Sequence, residues 1–161
     1  MNEIYRDFGE AFLAPKAKSL YDLIVIQGEK LLGELGADTP SSCVSVVLLL
    51  AQHRALSTAQ ISQKLEKSHQ LISTRISKLE KLGIVEKQKN NADKRANKVT
   101  LTPQGLTELT KIEAACAIAD RHFRDLYSEL GFDVGNILEK MELKLKLTPL
   151  KSNEDSTSPR Y

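Results

Sequence analysis

Residues 57–83 read STAQISQKLEKSHQLISTRISKLEKLG, and this stretch restricts the fold more than any other part of the chain. Ser57 and Gln60 stand three apart, the spacing of a capping box, in which each side chain satisfies a backbone N–H at the other's position. They open a short helix with Ile61 and Leu65 inward. Glu66-Lys67-Ser68 breaks the pattern, and Ser68 is a good N-cap for a second helix over 69–82. Gly83 can take the left-handed conformation that closes it. In that second helix Ile72, Ile76 and Leu79 share one face, while Gln70, Ser73, Thr74, Ser77 and Lys81 line another.

The stretch after Gly83 changes period. IVEKQK (84–89) predicts a short strand, 90–96 a turn, and NKVTL (97–101) the return strand. Thr102 caps the next helix, and Pro103 at its first position lacks only an N–H that would have no partner there. That helix carries apolar residues at 106, 109, 112, 116, 119, 123, 126 and 130, a spacing near 3.5 that suits packing along another helix, within or between chains. Upstream, apolar residues at helical spacing predict a helix over 16–35, ended by Gly36 and Pro40, and an almost wholly apolar, buried helix over 42–53. Val134, Ile137, Leu138, Met141 and Leu145 mark a final amphipathic helix, and the polar residues 148–161 are expected to be disordered.

Two short helices joined by a tight turn and followed by a two-stranded hairpin form a winged helix-turn-helix, in a chain that is mostly α with a small β-wing. A B-DNA major groove admits one α-helix. The first helix must brace the second so that a polar face points outward, and 69–82 has such a face. Ser68 and the free N–H groups at the helix start suit a phosphate. His69, Gln70, Ser73 and Thr74 suit the groove, with Arg75, Lys78 and Lys81 adding positive charge. At the hairpin tip, Asp93, Lys94 and Arg95 suit a second contact: a guanidinium fits the narrow, electronegative minor groove, and Asp93 would hold Arg95 or the hairpin backbone in place. The alternative is a hairpin whose charges serve only solubility.

Charge distribution agrees. Residues 60–100 hold ten Lys/Arg against four acids, a net of +6, while residues 1–53 are −3 and residues 101–161 are −2. A basic middle between acidic flanks points to a polyanionic partner. The N-terminus lacks the basic-then-apolar order of a secretory signal, and the apolar run at 44–51 is too short to span a bilayer, so a cytoplasmic chain without membrane contact is expected. Cys43 and Cys116 form no disulfide framework and read as reduced thiols. Cys116 reads as core. Cys43 reads as a core filler, with a helix-start thiol of lowered pKa as the alternative. No C-x-x-C or H-x-x-x-H spacing suggests a metal. No nucleophile–base pair or phosphate loop appears either, so neither an enzyme nor a cofactor is expected.

On these residues the chain resembles the MarR (multiple antibiotic resistance regulator) family of prokaryotic transcription factors. The resemblance rests on residues 57–88 and on DKRANKVTLTPQG (93–105), where Asp93, Arg95, Leu101, Thr102 and Gly105 fill a D-x-R wing pattern followed by L-T-x-x-G. It implies a homodimer reading a pseudo-palindromic double-stranded DNA operator, more often as a repressor. It also implies a domain plan: an N-terminal dimerisation helix and linker (1–41), the winged domain (42–105), C-terminal dimerisation helices (106–147) and a tail (148–161). Such regulators are often released by a small aromatic effector bound between the dimer helices and the winged domain, or by an oxidant. Tyr5, Phe8, Phe12 and Tyr21 are the aromatic residues near that region, but no effector-binding residue is identified. Glu66-Lys67 departs from the family, which more often has glycine and then an apolar residue there. A winged helix serving only protein contacts is the alternative.

Overall fold

The computed structural model describes residues 9–88 and 97–150. A 3-10 turn, Gly9–Phe12, leads into α1, Leu13–Glu34, which starts three residues before the predicted helix. A second 3-10 turn, Ser41–Cys43, opens α2, Val44–His53. Then come β1 (Ala55–Ser57), α3 (Thr58–Lys64), α4 (His69–Lys81), β2 (Val85–Gln88), β3 (Lys98–Leu101), α5 (Pro103–Leu130) and α6 (Val134–Leu147). The predicted turn at 90–96 and the tail from 151 onward lie outside the described residues, as do Tyr5 and Phe8. The chain divides into two compact units, Met1–Ala119 and Asp120–Tyr161, with the boundary inside α5.

In the first unit one apolar core joins helices α1 to α5 and all three strands. Val46, Val47 and Leu50 of α2 meet Ile61 of α3, Ile72, Ile76 and Leu79 of α4, Val99 of β3 and Ile112 of α5. The predicted inward faces of α3 and α4 are the buried ones. β1 had no counterpart in the sequence reading. It pairs antiparallel with β3 (Leu56↔Val99), and β2 pairs with the other edge of β3 (Lys87↔Val99), giving the order β1-β3-β2. The sheet therefore ties the segment before α3 to the base of the hairpin.

Along the stripe expected on α5, Ile112 is buried and Leu109 packs against the core, while Leu106 and Cys116 are exposed, so the reading of Cys116 as core is corrected. Gly105, Glu108 and Ala115 are buried beside them. Glu108 was invisible to a search for apolar spacing, yet its carboxylate is almost fully buried. It accepts hydrogen bonds from the backbone N–H groups of Asp38 (2.8 Å) and Thr39 (2.9 Å), from the Thr39 hydroxyl (2.8 Å) and from Lys111 (2.7 Å). Lys111 also donates to Gly36 O at 2.6 Å. Burial would push this carboxyl up, but the ammonium, the hydroxyl and the two N–H donors outweigh it and hold it below its ordinary range. The loop after α1 is thus bolted to α5 by charge-assisted bonds.

In the second unit, Gly131 at φ +80° ends α5, and Asp133 caps α6 by accepting from Asn136 N at 2.9 Å. α6 buries no residue, and Leu138, Met141 and Leu145 along it are exposed. Among the described residues no helix is long and apolar enough to cross a membrane, and no group of three or more His, Cys, Asp or Glu could hold a metal.

Candidate nucleic-acid interface

α3 and α4 are joined by a turn built almost entirely from its own polar groups. Ser57 and Gln60 form the expected capping box at 3.2 and 2.9 Å. Lys67 N donates to Ser62 O at 3.1 Å, and the Ser62 hydroxyl donates back to Lys67 O at 2.5 Å. Glu66 itself adopts the left-handed conformation, φ +51°. A side chain makes this turn costlier than a glycine would. Ser68 then caps α4, its hydroxyl accepting from Leu71 N at 3.3 Å.

With Ile72, Ile76 and Leu79 buried, the opposite side of α4 faces outward. Gln70, Ser73, Thr74, Ser77, Lys78 and Lys81 together line a shallow concavity there. Ser68 and His69 are exposed at the helix start, and His69 Nδ1 lies 3.5 Å from the Ser73 hydroxyl. The Thr74 hydroxyl donates to Gln70 O at 3.0 Å. Most of the site residues expected on this helix are thus brought onto one surface. Arg75 is set apart from them.

The Arg75 side chain lines a cavity of about 470 Å³ on the other flank of α4, together with Tyr21, Gly28 and Leu31 of α1, Leu48 of α2 and Cys116 of α5. Its Nε is buried with no hydrogen-bond partner among the described residues. The walls are mainly apolar, so this guanidinium is a cation facing a largely apolar space. Cys43 is fully buried, its Sγ 4.0 Å from Arg75 O, which fits its reading as a core filler.

The hairpin base is anchored to α4 and α5. Gly83 closes α4 at φ +70°. The Thr102 hydroxyl donates to Gly83 O at 2.6 Å and accepts from Gly105 N at 3.0 Å, the N-cap bond expected for α5. Lys87 of β2 pairs with Glu80 of α4 at 2.7 Å. Asp93, Lys94 and Arg95 lie outside the described residues. Glu29 of α1 accepts from Ser41 N at 2.7 Å. Its carboxyl is held below the ordinary range by the Ser41 hydrogen bonds, with a smaller contribution from the Lys78 charge on α4.

Comparison with known proteins agrees with this geometry. The sequence model of the MarR family matches residues 37–96, from the loop after α1 past β2. Over 114 residues the chain is 28% identical to the HTH-type transcriptional regulator PrsX of Escherichia coli, covering 71% of this chain and 67% of that one. Over residues 37–96 the chain is thus similar to the MarR family. PapX of Escherichia coli, another HTH-type transcriptional regulator, is 26% identical over 113 residues, covering 70% of this chain and 67% of PapX. Among solved structures, reduced AbfR bound to DNA superposes with a TM-score of 0.66 at 24% identity, covering 84% of this chain and 91% of that one. That likeness is one of fold, a winged helix with flanking helices.

Proposed function

We propose that the chain is a dimeric, sequence-specific DNA-binding transcriptional regulator, acting as a repressor in the cytoplasm and carrying out no catalysis. One observation carries this reading: a braced helix, α4, turns a polar and cationic face outward beside the base of a hairpin. Groove recognition needs such a face, because short amide and hydroxyl groups reach base edges while lysines meet phosphates. The match to the MarR family model and the names of PrsX and PapX support it. AbfR, of the same fold, is a protein solved on DNA.

In this reading residues 42–105 read the duplex, with Arg95 of the wing in the minor groove, and residues 1–41 and 106–147 dimerise. Exposed Leu20, Tyr21, Leu23 and Ile26 on α1 form an apolar surface of the kind a second copy covers. A dimer presents two recognition helices to half-sites one helical turn apart, roughly 34 Å. Arg75 supports a release signal: a small aromatic anion would fill the apolar cavity and supply the partner its buried Nε lacks among the described residues. The decisive experiment selects bound fragments from a random duplex pool and then titrates one of them at several salt concentrations, with crosslinking for dimers. Enrichment of a pseudo-palindrome and a steep salt dependence are expected. A flat salt response with no enriched sequence would favour a protein-interaction module instead.

A further inference from the structure

α4 has four apolar side chains, and the core takes up only three. Ile72, Ile76 and Leu79 are fully buried, while Leu71 is 39% exposed. Leu71 occupies the first turn of the helix, where the bond from its N–H to the Ser68 hydroxyl fixes the start. Thr74 lies three residues on, and residues at that separation are surface neighbours, with Cβ atoms about 5–6 Å apart. The Thr74 hydroxyl is committed to its own helix, donating to Gln70 O. With its proton spent there, Thr74 keeps an acceptor oxygen and a methyl group to offer a partner. At a separation of three residues, exposed Leu71 and the Thr74 methyl are surface neighbours at the edge of a concavity lined otherwise by amide, hydroxyl and ammonium groups.

A duplex offers such a patch one matching group in its major groove. The edges there present donors and acceptors, except that thymine adds a C5 methyl group. The first residues of a recognition helix are also those that approach base edges most closely. We infer that Leu71 and the Thr74 methyl seat a thymine methyl group, so that each half-site of the operator carries one thymine read by apolar contact. The inference rests on the DNA-binding reading above. It assigns Thr74 a role through its carbon, since the side chain spends its proton on the backbone.

The test replaces each thymine of a selected duplex in turn by deoxyuridine, which keeps every hydrogen-bonding group and lacks only the methyl. Gel-shift titrations at fixed salt then compare the two duplexes. In the wild type, one thymine per half-site should weaken binding about fourfold when replaced, the factor for one buried carbon, and replacement in both half-sites about fifteenfold. Leu71→Ala should bind the two duplexes almost equally. Leu71→Met, which stays apolar, should keep the preference. Thr74→Val, which retains the methyl, should keep it too, while Thr74→Ser, which retains only the hydroxyl, should reduce it. A wild type indifferent to every uridine overturns the inference, and so does a Leu71→Ala or Thr74→Ser protein as discriminating as the wild type. A protein that retains no duplex at all refutes the DNA-binding reading itself, a different result in the first lane of the same gel.

Discussion

Gly105→Ala separates two physical effects of opposite sign. Gly105 lies in the first turn of α5, where alanine is the better helix former by about 1 kcal/mol. Propensity alone therefore predicts a more stable protein. Space predicts the reverse. A Cβ at this position would stand 2.1 Å from Ile84 O and 3.3 Å from the Leu101 side chain. The first of these is a backbone atom that cannot rotate aside. Ile84 O also accepts from Thr102 N at 3.1 Å and from the Thr102 hydroxyl at 3.2 Å. Pushing the helix off the hairpin base therefore strains the joint that the cap of α5 holds. Overpacking costs about 1–3 kcal/mol, and each weakened hydrogen bond about 1 kcal/mol. After subtracting the propensity gain, a net loss of about 2–4 kcal/mol remains. Urea unfolding at fixed protein concentration measures it, with Gly33→Ala as the control. Gly33 is helical and its Cβ would meet nothing within 4 Å, so that variant should gain about 0.5–1 kcal/mol. If Gly105→Ala unfolds at the same or higher urea than wild type, the close approach described here is not a real constraint.

Other outcomes follow from the same geometry. Glu66→Gly should stabilise by about 0.5 kcal/mol, because the left-handed turn costs a non-glycine residue roughly 1 kcal/mol or more and the freer unfolded chain offsets part of the gain. A destabilised variant in the same urea assay would contradict this. Glu108→Ala should cost about 3 kcal/mol, since it leaves two N–H groups and the Thr39 hydroxyl unpaired. Because the folded carboxyl is held below its ordinary value of 4.5, its contribution is full above that pH and is lost as pH falls through the folded value. Wild type should therefore lose more stability than Glu108→Gln on acidification below about pH 4.5, and parallel pH curves would count against the bolt. Lys78→Ala should weaken duplex binding nearly uniformly across sequences and lower the salt slope by about one per protomer. A sequence-selective loss would make Lys78 a base reader.

What was legible in the sequence was local chemistry. Ser57 with Gln60, Ser68, Gly83 and Thr102 each act on backbone within a few residues or close a turn, so their roles could be read from spacing. β1 was not legible, because three residues hold no period and its partner lies more than forty residues on. The burial of Glu108 and Gly105 on α5 was not legible, because an acid and a glycine carry no apolar spacing. Both are explained only by what they touch across the chain: the loop after α1 and Ile84 O. Arg75 was grouped with its cationic neighbours by sequence, and only the packing of α1, α2 and α5 around α4 reveals that its side chain lines the cavity. Arg54 at φ +60° and Glu66 at φ +51° mark chain reversals with no glycine to announce them.

The middle position of β3 carries a consequence for what such a protein can tolerate in its target. β3 is hydrogen-bonded on one edge to the strand that leads into α3 and on the other to the strand that leaves α4. The root of the hairpin and the helix-turn-helix are therefore geared together, with no hinge between them. If both touch one duplex, the offset along the DNA between the base pairs each one meets is a constant of the protein. Inserting a single base pair between those two footprints would cost one of the contacts outright, whereas a changed gap between half-sites would tax the joints of the dimer.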